Sequence, residues 1–150
     1  MRRAAAALGL SLLAGCGDGA LEPAPLDTRN EACTACRMAV SEARFAAQVV
    51  APGELPRFFD DLGCLGGYLK AGRAPAHAAV FVADHRTRAW VRAQDAVVTR
   101  VPALATPMGS HLIAHADAAS RDQDPAAREG MPVAPSEAFG PGVTPGGNAR

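Results

Sequence analysis

The sequence predicts an α+β fold: two small ββαβ-type units, the second eroded, after a leader and a flexible tether. Three observations predict it. Short β-branched stretches recur along the chain. One segment in each half carries a helix-start signature. The order of strands and helix in the first half returns, weakened, in the second. A length of 150 residues suits one domain. Much of the 49% hydrophobic content is alanine, and aromatics are limited to five Phe, one Trp and one Tyr, so the expected core is modest. A formal net charge of zero, without Lys/Arg clusters, argues against a nucleic-acid partner.

Taken in order, Arg44 to Ala51 (RFAAQVVA) reads as a strand, with Met38 to Glu42 as its hairpin partner. Pro52-Gly53 marks a turn. From Arg57 to Ala71, Phe58, Leu62, Leu65 and Leu69 fall at helical spacing, and Asp60 and Asp61 suit a helix amino terminus. Gly66-Gly67 weakens that helix by roughly 1 kcal/mol per glycine but lets another element approach closely. Ala76 to Asp84, Arg88 to Ala93, Ala96 to Ala105 and Ser110 to Ala116 read as strands. His111 and His115 would share a face of the last. A short helix within Asp117 to Arg128, limited by Pro125, precedes a final strand near Met131 to Ala134. The domain is expected over residues 30–135, and residues 136–150 are expected to form a Pro/Gly-rich disordered tail.

The chain opens MRRAAAALGLSLLAGC: Arg2 and Arg3, an apolar run from Ala4 to Leu13, then small residues. This is the layout of a secretory signal peptide over residues 1–15, too short in its apolar run to span a bilayer. Leu13-Ala14-Gly15-Cys16 resembles a bacterial lipobox, which implies acylation of Cys16 and anchoring to the bilayer by several acyl chains. Gly17 after the cysteine favours the outer membrane by the usual sorting pattern. Residues 16–29 then form the tether. Loss of Arg2 and Arg3 leaves the mature chain slightly acidic.

Cys33-Thr34-Ala35-Cys36-Arg37-Met38 carries the chemistry, and three readings compete for it. A thiol–disulfide pair would sit best at a helix start inside a parallel βαβ frame, which is absent here. A structural zinc site needs four closed ligands, and Cys64 and the four histidines show no finger spacing. A Cu(I) site needs only a few soft donors, and thiolates with the Met38 thioether supply them. On a strand, Cys36 and Met38 would share a face, with a preceding turn bringing Cys33 back. A structural Cys33–Cys36 disulfide with Met38 in the core is the plainer alternative. Cys64 reads first as a small buried residue of the helix, and second as a third thiol near the metal. No phosphate-binding glycine loop, GxSxG or HExxH motif occurs.

Together, CTACRMAV, FFDDLGCL, AWVRAQDAVV and ATPMGSHLIAHADAAS resemble the NosL family, copper(I)-binding lipoproteins that help load nitrous oxide reductase. The resemblance runs in order from Cys33 to Ser120. It implies two ββαβ units side by side, Cys36 and Met38 as the C-x-M metal motif, Cys33 as the upstream cysteine and Met108 as a further sulfur ligand. It implies Cu(I) as cargo, a copper-accepting protein or membrane transfer complex as partner, a site facing the periplasm and no catalysed reaction. The alternative is a lipid-anchored thiol–disulfide oxidoreductase using Cys33 and Cys36. Three features depart from the family pattern: Arg37 where glycine is usual, the lack of a long second helix, and the Pro/Gly tail.

Overall fold

A computed structural model describes residues 20–143. The leader and Cys16, with the acylation expected of it, lie outside the described residues. Within them, no helix is long and apolar enough to cross a membrane.

The first unit runs β1 (Ala47–Val50), β2 (Arg57–Phe59), α1 (Leu62–Lys70) and β3 (Ala79–Ala83). β1 lies between β2 and β3, antiparallel to both, and β4 (Trp90–Arg92) extends the sheet beyond β3. The second unit repeats the plan: β5 (Val97–Arg100), β6 (Leu112–His115), α2 (Ala118–Asp122) and β7 (Met131–Val133), with β5 between β6 and β7. In each unit an aspartate two residues past the second strand caps the helix: Asp61 accepts from the Gly63 N–H, and Asp117 from the Ser120 N–H. The ββαβ duplication is therefore real. The second copy is eroded at its helix, which is five residues long against nine in α1. Pro125 follows closely, and the chain continues as a 3-10 turn, Pro125–Ala127.

The units share one core. Val49, Phe59, Leu62, Leu65 and Val82 from the first pack in one cluster with Val98, Leu112 and Val133 from the second. Backbone links also cross the junction: the His85 N–H donates to the Ala114 carbonyl, and the Ala116 N–H to Asp84 Oδ2.

Four expectations are corrected. β1 pairs with Arg57–Phe59, not with Met38 to Glu42, which runs into a 3-10 turn at Ala43–Phe45. Arg57 and Phe58, included in the helical run, thus lie on a strand, and α1 begins after Asp61, which caps it as expected. The expected tail stays folded through Val143. Pro135–Phe139 forms α3, and Phe139 and Val143 are buried in the shared core. Its carbonyl at Ala138 comes so close to α1 that a Cβ on Gly66 would lie 2.4 Å away, so Gly66 is the residue that lets α3 dock. Finally, part of the tether lies on the domain. Ala24, between Pro23 and Pro25, exchanges both backbone hydrogen bonds with the buried side-chain amide of Gln48, at 2.8 and 3.0 Å, and Leu26 packs against the core.

Candidate metal centre

Cys33 to Met38 forms a tight hairpin loop. The Cys33 N–H donates to the Met38 carbonyl (2.7 Å), the Arg37 N–H to the Cys33 carbonyl (2.9 Å), and Ala32 bridges Ala39. Arg37 closes the loop at φ 69°, the left-handed region that glycine occupies freely. The position demands what a glycine would give, and arginine adopts it at some cost. Cys36 therefore lies in a turn, not on a strand, and the expected shared face with Met38 does not form. Cys33 is fully buried, Cys36 is half-buried, and Met38 is 60% exposed.

The loop is fastened to β2 by the Thr34 N–H, which donates to the Phe58 carbonyl at 2.8 Å. This sets both thiols beside Asp60, the residue after β2. The Cys36 thiol donates to the Asp60 carboxylate at 3.4 Å. Because α1 begins at Leu62, Cys64 falls in its first turn and joins the group. The sulfurs of Cys33, Cys36 and Cys64 and a carboxylate oxygen of Asp60 lie within 4.8 Å of one another. All three are free cysteines. The group is a cluster able to hold a metal ion.

Electrostatics favour a cation in the middle. Burial pushes the Cys33 thiol up from its ordinary value, and the Asp60 carboxylate beside it adds to that. Cys64 is pushed up strongly, by burial first and then by the charges that Cys33, Asp60 and Cys36 would carry. Several negative groups cannot share so small a space without a compensating positive charge. A metal ion would supply it and displace the protons.

Met108 is half-exposed, at 49%, in the loop before β6. That loop is bound to the turn bearing Cys64. Asp61 uses Oδ1 to cap Gly63 (2.6 Å) and Oδ2 to accept the Thr106 hydroxyl (2.7 Å) and the Met108 N–H (2.9 Å). Gly63 permits the approach, since a Cβ there would meet the Ser110 Cβ at 2.7 Å.

Of the residues named from the sequence, the structure joins Cys33 and Cys36 directly and fastens the loops of Met38 and Met108 to the same corner. Cys64 and Asp60 complete the cluster. Their spacing becomes readable only once the helix is known to start at Leu62. The two histidines part company. His111, at φ 59°, engages the Leu104 carbonyl through Nδ1, while His115 turns into the interior beside Asp124. No family model, no curated protein and no solved structure matches the chain, so function is argued from these residues.

Proposed function

We propose that the chain is a membrane-anchored Cu(I) carrier that delivers copper for assembly of a periplasmic copper enzyme, with nitrous oxide reductase the enzyme its NosL-like motifs point to. The convergence of three free thiols at Cys33, Cys36 and Cys64 carries the reading. A soft monovalent ion favours sulfur and accepts two or three donors in loose geometry. Asp60 is a harder donor, and in this reading it balances charge and accepts the Cys36 thiol's hydrogen bond rather than binding copper first.

The gradient of exposure suits a carrier. Cys33 is buried, Cys36 half-buried, and the thioether of Met38 stands at the surface two residues further on. An incoming ion meets the neutral thioether before the thiols. A partner's ligand reaches the same edge to take the ion away by exchange, without a complete cage having to open. The chain then carries copper and catalyses no reaction.

The test is anaerobic titration of the thiol-reduced full chain with Cu(I), followed by desalting. The reading expects copper to be retained stoichiometrically and surrendered to a stronger Cu(I) chelator. Desalted protein without copper would overturn it.

A further inference from the structure

His85, His115 and Asp124 form a second cluster, assembled from both halves. His85 follows β3, His115 ends β6, and Asp124 caps the Pro125–Ala127 turn through Oδ1, which accepts the Ala126 N–H at 2.9 Å. The cap leaves Oδ2 free. His85 Nδ1 lies 2.6 Å from it and His115 Nε2 3.0 Å. All three side chains are more than nine-tenths buried.

A carboxylate is buried between two imidazole rings, with no Lys or Arg side chain in the cluster. The outward nitrogens, His85 Nε2 and His115 Nδ1, are buried and have no partner. The rings are thus aimed by what lies between them and not by what surrounds them. Had the core needed only volume here, an apolar ring like that of Phe45, 5.2 Å from His85, would have served without orphaned nitrogens.

We propose that His85 Nδ1, His115 Nε2 and Asp124 Oδ2 form an inner metal site for a borderline divalent cation of the Zn(II) class, separate from the thiol cluster. Two imidazole nitrogens and a carboxylate oxygen make the donor set that zinc takes with three protein ligands, leaving one position for water. The ion neutralises the buried charge and clamps the end of β3 to β6 and the turn after α2. The proton balance is defined. Without metal, the Asp124 carboxylate oxygen can only accept, so the inward nitrogen of each ring carries an N–H. With metal, the inward nitrogens bond the ion and each ring's proton moves to its outward nitrogen, so none is released.

Long-range proton–nitrogen NMR of the unmodified, nitrogen-15-labelled full chain reads this directly. On excess Zn(II), His85 is expected to change from the Nδ1–H to the Nε2–H tautomer and His115 from Nε2–H to Nδ1–H. Unmoved ring nitrogens would overturn the site, even if zinc binds the thiols. A second measurement uses Co(II) with a C36S/C64S chain. Bound cobalt should show ligand-field bands without a thiolate charge-transfer band. Adding His115→Gln should weaken binding by more than the roughly 10–100-fold cost of losing an outer-shell partner. Equal binding with and without that change in a folded chain would also overturn it.

Discussion

The backbone N–H of Met108 donates to Asp61 Oδ2 across 2.9 Å, which ties a loop of the second unit to the helix cap of the first. One buried carboxylate thus starts α1, and with it the turn of Cys64, and holds the loop of a surface methionine beside that turn. Asp61→Ala removes the cap, worth about 1 kcal/mol, and takes the partner from the Thr106 hydroxyl and Met108 N–H, at about 1 kcal/mol each for groups that are partly exposed. Urea unfolding of the metal-free chain should show a loss of about 3 kcal/mol. Asp61→Asn should fall between, since it keeps the cap but turns an amide donor toward the Met108 N–H.

Acid should destabilise the fold through three buried carboxylates. Burial works against the charge of Asp84, but the Ala116 N–H, the Ser120 hydroxyl and the Thr87 N–H outweigh it and hold its pKa well below 3.8. Asp61 and Asp124 are lowered in the same way, Asp61 by Ser110, Met108, Thr106 and Gly63, and Asp124 by His115, His85 and Ala126. A carboxyl that is more acidic folded than unfolded stabilises above its unfolded value, and that stability is lost as pH falls through the folded one. The urea midpoint should therefore hold down to about pH 5 and drop steeply below about pH 4. Asp84→Asn should flatten the drop.

Metal binding at the thiols should depend on pH, unlike binding at donors that are already ionised. Cys33 and Cys64 have raised values, so both carry protons at neutral pH in the metal-free chain. Each proton that Cu(I) displaces makes the apparent affinity fall roughly tenfold per pH unit on acidification. Chelator competition across about pH 6 to 8 should show this slope, with matching proton release in weak buffer. A flat profile would mean these two thiols do not ionise on binding.

Gly66→Ala should destabilise although it improves helix propensity. A Cβ there would sit 2.4 Å from the Ala138 carbonyl oxygen, and backbone does not yield cheaply. Overpacking of this kind costs about 1–3 kcal/mol, against a gain of at most about 1 kcal/mol in propensity. The expected net loss is about 1–2 kcal/mol in thermal or urea unfolding. Gly67→Ala, with open space around the added methyl, should stabilise instead.

Much of this architecture was legible in the chain because short, mostly apolar runs such as Ala79–Ala83 and Leu112–His115, with polar residues close by on either side, announce themselves locally, as do the Asp61 and Asp117 caps. The misreading of Arg57–Phe59 arose because a three-residue strand leaves Phe58 at helical spacing from Leu62 by coincidence. The sequence leaves Cys64 only a second choice as a metal thiol, because its place beside Asp60 depends on where α1 begins. The tail was misread because Pro/Gly composition says nothing of a single large side chain, Phe139, finding the core. Asp124 gives no local sign of its histidines, since His85 stands 39 residues away in sequence.

Copper K-edge absorption on the reduced, Cu(I)-loaded full chain tests the central claim most directly. A first shell of about two to three sulfurs is predicted, falling in Cys36→Ser and in Met38→Leu. A shell of nitrogen and oxygen, or sulfur scattering untouched by either substitution, would contradict it.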